Sequence, residues 1–255
     1  MSALGENLER LEERIAAACR AAGRARGEVE LMAVSKTFSA EAIIEAVSRG
    51  LTLFGENRVQ EWASKAAALG PNRKGAQRCH LIGHLQSNKA ARAAELFDGV
   101  DSLDSLRLAE RLNDAAGRCG KRLPVLLEIK LSPEETKSGL DPESAQMAQL
   151  LERLPDLASL QVRGLMTIAP WGAPEHETRA CFRALRSWRD RWAAAHPRLD
   201  LSVLSMGMSG DFPLAIAEGA TRIRVGTALF GKRPGAAQHA AVEAKAPKTD
   251  APDSA

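Results

Sequence analysis

The hydrophobic positions of the chain change their spacing regularly from one segment to the next. Over residues 4–22 apolar side chains recur every three or four positions, which predicts an amphipathic helix. After it, short apolar runs alternate with segments of helical spacing. The predicted strands are 29–34, 51–54, 79–82, 99–103, 124–130, 161–168, 200–205 and 222–229. The predicted helices between them are 39–49, 58–69, 88–97, 105–117, 142–154, 175–195 and 211–218.

This alternation predicts an α/β fold built from parallel βαβ units. Eight strands in a chain of 255 residues fit a single-domain (β/α)8 TIM-type barrel with an extra N-terminal helix. An open doubly wound sheet is the alternative, but residues 33–39 after the first strand read AVSKTFS, without the GxGxxG pattern of dinucleotide-binding folds. We expect the barrel to span residues 1–233. Residues 234–255 are rich in alanine, proline, lysine and aspartate, and we expect a disordered C-terminal tail there.

Composition narrows the class of protein. The net charge of +3 is small and the basic residues form no block, so we expect no nucleic-acid partner. No apolar run approaches the ~18 residues of a membrane span, and the first residues lack the apolar core of a signal peptide. The four cysteines form no CxxC pair, which argues against zinc and favours reduced thiols. These features predict a cytoplasmic protein without a bound metal.

Lys36 is the first candidate for chemistry. It follows the first predicted strand and precedes a helix, and barrel enzymes place their sites at the carboxyl ends of the strands. A lysine that is partly desolvated at the barrel mouth exposes a neutral amine, the form that attacks an aldehyde. An ordinary surface lysine is the alternative, and this segment alone does not separate the two.

The last two strands favour a phosphate site at the same end of the barrel. The segment LSMGMSGD (204–211) follows strand seven, and Arg224-Val225-Gly226-Thr227 belongs to strand eight. Loops at these two places often bind phosphate in barrels. A phosphate site opposite a lysine suggests a phosphorylated aldehyde, for which pyridoxal 5′-phosphate (PLP) is the natural candidate. Arg224 could then face the pyridine nitrogen, and an arginine there makes the ring a poorer electron sink than an acidic partner would.

Eight segments carry a resemblance to a known family. They are AVSKTFS (33–39), FGENRVQEW (54–62), HLIGHLQSNK (80–89), VDSLDS (100–105), ETKSGLDPE (135–143), RGLMTIAP (163–170), LSMGMSGDFPLAIAEGA (204–220) and RIRVGTALFG (222–231). The chain resembles the pyridoxal phosphate homeostasis proteins over nearly all of its predicted folded part. The resemblance implies a barrel like the N-terminal domain of alanine racemases, with PLP bound as a Schiff base.

The resemblance also implies roles for single residues. Lys36 matches the PLP lysine, Arg224 the arginine that faces the pyridine nitrogen, and Asn57 a position near the lysine. His84 matches a position at the barrel mouth, where it would contact the cofactor or support residues that do. The phosphate side is matched by Ser205, Met206, Ser209, Gly226 and Thr227. The chain departs from the commonest family pattern at Ser39, Arg58 and His84, which leaves the lining of the ring pocket open.

Three functions remain to be compared. The first is a PLP carrier that takes part in intracellular PLP homeostasis, with PLP-dependent apoenzymes as candidate acceptors and Lys137 as a possible aid to transfer. The second is a PLP-dependent amino-acid racemase of low activity, which needs a second base that is usually a tyrosine; the chain contains no tyrosine. The third is a Schiff-base aldolase that uses Lys130 beside Glu128, but no acid pair supports it. We expect a carrier, without a catalytic residue, that is a monomer because the racemase dimer depends on a further domain.

Overall fold

The computed structural model describes residues 2–70, 77–132 and 138–231. The expected disordered tail (234–255) and Lys137 lie outside the described residues. The strands are β1 (Glu30–Val34), β2 (Leu53–Glu56), β3 (Arg78–Leu81), β4 (Gly99–Leu103), β5 (Leu123–Glu128), β6 (Leu160–Met166), β7 (Val203–Ser205) and β8 (Arg222–Val225). The helices are α1 (Ala3–Ala21), α2 (Ala40–Ser48), α3 (Val59–Leu69), α4 (Ala90–Leu96), α5 (Leu106–Arg118), α6 (Ala145–Arg153), α7 (Glu175–Ala195), α8 (Phe212–Ala217) and α9 (Thr227–Phe230).

The eight strands form one closed parallel barrel in chain order, and β1 pairs with both β2 and β8. The predicted (β/α)8 barrel and its extra N-terminal helix are confirmed. Parallel closure brings the carboxyl ends of all strands to one rim, called here the mouth. Helix α1 packs against α8 and α9, and Asn7 Nδ2 donates a hydrogen bond of 3.0 Å to the carbonyl of Leu229.

Several predicted strand boundaries are wrong, and those of β2, β7 and β8 matter most for the site. Strand β2 begins two residues later than expected and continues through Gly55 and Glu56, both of which are buried. Strand β7 is shorter than predicted and begins at Val203. Strand β8 ends at Val225, because Gly226 starts a helical turn in which the N–H groups of Leu229 and Phe230 donate to its carbonyl. Backbone N–H groups of α9 are thus brought to the mouth beside the loop after β7.

The half of the barrel interior that lies away from the mouth holds a buried ionic cluster. Asp101 on β4 accepts hydrogen bonds from His80 Nδ1 at 2.8 Å and from Arg222 at 3.0 Å, and Arg222 also pairs with Glu30 at 2.9 Å. Burial alone would raise the pKa of Asp101, but the charges and hydrogen bonds of His80 and Arg222 hold it below its usual value. Because this cluster lies towards the amino ends of the strands, we interpret it as structural.

No helix within the described ranges combines the length and the apolar character that a bilayer crossing requires.

Candidate functional site

The Lys36 segment turns sharply where β1 ends. Ser35 is buried, Lys36 is half-buried and Thr37 has a φ of 70°, a left-handed conformation that is unfavourable for a residue with a branched side chain. The turn is fixed by backbone bonds: the Ser35 N–H donates to Gly55 and the Phe38 N–H donates to Ser35, both at 3.1 Å. A strained turn of this kind persists only where its surroundings hold it.

A buried ion network holds this turn from below. Lys65 on α3 donates to Glu56 Oε1 at 2.8 Å, to Glu61 Oε1 at 2.7 Å and to the carbonyl of Ser35 at 2.8 Å. Glu56 also accepts from the Ser35 hydroxyl at 2.6 Å, and Glu61 accepts from the Thr37 N–H at 2.5 Å. Ser35 is therefore held by Glu56 and Lys65, and Thr37 is held by Glu61. We call these three side chains the Lys65 network (Glu56, Glu61 and Lys65).

Burial acts differently on the two acids of the Lys65 network. It raises the pKa of Glu56 above the usual value, even though Lys65 and Ser35 donate hydrogen bonds to that carboxyl. Burial also opposes ionisation of Glu61, but there the hydrogen bonds from Lys65 and the Thr37 N–H prevail and lower its pKa. Glu61 is therefore the firmly ionised acid of the pair.

Arg224 lies at the centre of the mouth and is almost fully buried. One terminal nitrogen donates to the Ser205 carbonyl at 2.7 Å and to the Ser205 hydroxyl at 2.9 Å, and the other donates to the Thr167 carbonyl at 2.8 Å. All three acceptors are neutral, and the acids that influence Arg224 act on it only through longer-range charge interactions. Burial lowers the pKa of Arg224, against the attraction of more distant acids. Burying a cation without a direct anionic partner costs free energy. The geometry therefore favours a ligand that accepts hydrogen bonds from Arg224.

The loops after β7 and β8 meet beside Arg224. Ser209 Oγ accepts a hydrogen bond of 3.4 Å from the Ala228 N–H, and the Arg224 N–H donates to Gly207 at 2.9 Å. Gly207 has a φ of 90°, and a Cβ there would lie 2.6 Å from the Cβ of Ala215, so this position requires glycine. This contact brings the hydroxyl of Ser209 next to the first backbone N–H groups of α9.

Two predicted site residues lie further round the mouth. Asn57 follows β2 directly, and its carbonyl lies so close to Gly83 that a Cβ at that glycine would approach it to 2.4 Å. His84 is exposed, and its Nδ1 lies 2.9 Å from Asp104 Oδ2. The side chain of His84 is thus tied to the loop after β4.

Glu128 is a buried acid at the mouth end of β5. Its Oε1 accepts a hydrogen bond of 3.3 Å from Ser138 Oγ, while Oε2 has no partner among the described residues. The carboxyl lines a cavity of about 240 Å³. Among the residues that the structure describes, no group of three or more His, Cys, Asp or Glu side chains is placed to hold a metal ion.

Comparison with known proteins agrees with this architecture. Residues 7–234 match the family model described as alanine racemase, N-terminal domain. The pyridoxal phosphate homeostasis protein of Vibrio cholerae is 40% identical over 236 residues, which is 91% of this chain and 98% of that protein. The protein of the same name from Pseudomonas aeruginosa is 42% identical over 233 residues, 91% of this chain and 97% of that protein. The chain belongs to the pyridoxal phosphate homeostasis protein family.

Solved structures agree with this assignment. PipY of Synechococcus elongatus, solved with PLP bound, is 45% identical and superposes with a TM-score of 0.79 over 89% of this chain and 100% of that one. An alanine racemase of Clostridium difficile is 13% identical, with a TM-score of 0.61 over 81% of this chain and 53% of that one. At that identity the racemase shows a shared barrel fold alone.

Against this family background, the structure brings most of the predicted site together. Around one mouth lie Lys36, Asn57, Ser205, Met206, Ser209, Arg224, Gly226 and Thr227, with His84 at the exposed edge. Sequence reasoning missed the Lys65 network. Glu61 and Lys65 are four residues apart on a helix, a spacing that usually indicates an exposed ion pair. The only sequence signal for a buried network was Glu56, an acid that directly follows the glycine of β2.

Proposed function

We propose that this protein binds PLP at the barrel mouth, carries it as a Schiff base on Lys36, and takes part in PLP homeostasis inside the cell. The observation that carries the proposal is the convergence on one mouth of the Lys36 turn, the buried Arg224 and the two loops that Ser209 joins. PLP supplies an aldehyde, which reacts with a neutral lysine amine to form a covalent C=N bond. Homologues at about 40% identity carry the name of this role, and PipY is solved with PLP.

The residues at the barrel mouth fit the chemical groups of PLP. A ring nitrogen in an aromatic cofactor can accept a hydrogen bond in the plane of the ring, and Arg224 is a donor whose hydrogen bonds in the described chain go to neutral acceptors. A phosphate needs several donors and close backbone approach, and the required glycine at 207 and the hydroxyl of Ser209 supply both. We assign Ser205, Met206, Gly226 and Thr227 to the same cradle. Asn57 and His84 complete the mouth on the side of β2 and β3.

The carrier role is supported over racemisation by the amino-acid composition. A two-base racemase requires a second acid–base group on the opposite face of the substrate, and the chain contains no tyrosine to provide it. We propose a monomer that hands PLP to PLP-dependent apoenzymes in the cytoplasm. None of the four cysteines forms a disulfide bond in the described residues, which fits the reducing compartment that we propose.

Absorption spectroscopy tests the proposal. Wild-type protein titrated with PLP is expected to give a near-visible band, and borohydride should abolish it by reducing the C=N bond. The Lys36→Ala variant should lack this band. The Lys89→Ala variant, which removes a half-buried lysine from a short 3₁₀ turn before α4, should keep it. A wild type without the band would refute the proposal, and an unchanged band in Lys36→Ala would refute the role of that lysine.

A further inference from the structure

Glu128 is a buried acid to which the PLP-carrier role assigns no task. It is only 4% exposed, yet Oε2 has no hydrogen-bond partner within the described chain, and Oε1 has one long contact with Ser138. Leaving a buried polar atom unpaired is unfavourable, and more so when the group is charged. A fold that keeps such an atom at its mouth therefore leaves one strong acceptor for a ligand.

The cavity beside Glu128 has room for such a ligand. Its volume is about 240 Å³, or roughly eight times the share of one water molecule in the liquid. Its lining is mixed, with hydroxyls of Ser132 and Ser138 and apolar side chains of Ile129 and Ile168 next to the carboxyl. Lys130 contributes the cation of the lining. A space of this size admits a small organic molecule with a few heavy atoms.

The charged groups around Glu128 come from several strands. Burial is the largest influence on its carboxyl and raises its pKa to about 7, and the like charge of Asp104 after β4 acts in the same direction. The Ser138 hydroxyl, Arg224 on β8 and His84 after β3 oppose the rise. Glu128 can therefore exchange a proton near neutral pH, which an ordinary surface glutamate cannot do efficiently.

We propose that this cavity admits a small primary amine and that Glu128 Oε2 accepts a proton from the ammonium group of that amine. An ammonium supplies the hydrogen-bond donors that Oε2 lacks, whereas an anion without a donor would leave Oε2 unpaired. This inference rests on the proposed function, because its purpose is to prepare an amine that takes PLP from Lys36. It adds to the carrier a route by which free amines unload it.

The proton transfer is balanced within the protein and the amine. One N–H bond of the ammonium breaks, its electron pair stays on nitrogen as the lone pair, and a new O–H bond forms on Glu128. The neutral amine is then the nucleophile that can displace the lysine nitrogen. Glu128 releases this proton and the Lys36 amine that the exchange sets free takes one up, so the complete exchange consumes no proton.

Stopped-flow displacement of PLP from the loaded protein provides the first test. Methylamine is protonated at neutral pH and needs a base, whereas hydroxylamine is largely neutral and does not. In Glu128→Gln the methylamine rate should fall about a hundredfold, the lower end of the usual contribution of a general base, while the hydroxylamine rate stays within about twofold. Glu110→Gln, an exposed charge change on α5, should leave both rates unaltered.

The outcomes separate this inference from the proposed function. Equal methylamine rates in wild type and Glu128→Gln, with the PLP band present in both, would overturn the inference and leave the carrier role intact. Absence of the band in wild type would refute the carrier role itself.

Infrared titration of the PLP-free protein gives an independent readout. The carbonyl band of one protonated carboxylic acid should disappear with a midpoint of about 7 in wild type and be missing from Glu128→Gln. A titration curve that the substitution leaves unchanged would contradict the assignment of the proton acceptor to Glu128.

Discussion

Replacing Lys65 by methionine tests how much the buried ion network contributes to the Lys36 turn. Methionine keeps most of the length and apolar stem of lysine but removes the three hydrogen bonds to Glu56, Glu61 and the Ser35 carbonyl. Lys65 and Glu56 are buried, with side chains 9% and 0% exposed, so water cannot replace the lost cation. We therefore expect Lys65→Met to destabilise the fold strongly.

The magnitude follows from the burial of the pair. Removing one partner of a buried ion pair costs about 3–5 kcal/mol, because the other charge remains without compensation. At about 2–4 °C per kcal/mol for a chain of this size, the melting temperature should fall by roughly 6–20 °C. PLP affinity should fall as well, because the Ser35 carbonyl and, through Glu61, the Thr37 N–H are held by this network.

Chemical denaturation of the wild type, the single variants and Lys65→Met/Glu56→Gln is the appropriate assay. The double variant also removes the fully buried charge of Glu56 and leaves only Glu61, which is 25% exposed, without Lys65. It should therefore recover more than half of the stability lost in Lys65→Met. A free energy of unfolding of Lys65→Met within about 1 kcal/mol of wild type would refute the reasoning, since it would mean that the Lys65–Glu56 pair is not buried in solution. A double variant no more stable than Lys65→Met would refute it too.

Three further substitutions probe the mouth and its acids. Arg224→Lys keeps the charge but loses the planar geometry that reaches Ser205 and Thr167 together, so we expect PLP to dissociate at least about tenfold more readily in equilibrium titrations, and unchanged affinity would contradict this. Gly207→Ala forces a side chain into a left-handed turn next to Ala215; its PLP affinity should fall, with a stability loss of about 1–2 kcal/mol or more in urea, and a variant with wild-type values would show that the turn is not constrained. Glu128→Gln should stabilise the PLP-free protein in a pH-dependent way. Because the pKa of Glu128 is raised from 4.5 to about 7, the folded state prefers the protonated acid, and wild-type stability is lost as pH rises through that interval. The variant should therefore gain about 3 kcal/mol over wild type at about pH 8 and less than about 1 kcal/mol at about pH 5, and equal gains at both would be inconsistent with a raised pKa.

The barrel was predictable because its strands are buried on both sides and read as short apolar runs between amphipathic helices. The hydrophobic pattern gave wrong strand ends where the polarity of a segment does not match its secondary structure. The run from Arg222 to Leu229 is apolar enough to continue a strand, yet the chain turns at Gly226 into α9. Strand β2 continues into Glu56, which a simple hydrophobic pattern would leave outside.

The residues predicted to hold the cofactor came from the ends of strands and from a family resemblance, and the structure places them around one mouth. The Lys65 network and the unpaired oxygen of Glu128 depend on distances between strands far apart in sequence. A glutamate and a lysine four residues apart on a helix look like a surface pair until the fold buries them. Likewise, nothing local to Glu128 indicates that one of its oxygens lacks a partner.

The central claim is that Lys36 holds PLP covalently, and peptide mapping after borohydride reduction of the PLP-loaded protein tests it most directly. Reduction converts the C=N bond into a stable C–N bond, so digestion and mass spectrometry can locate the attached pyridoxyl group. We expect one modified site, at Lys36, within the peptide that follows β1. Attachment at another lysine, such as Lys130, or no attachment to protein that has been saturated with PLP, would contradict it.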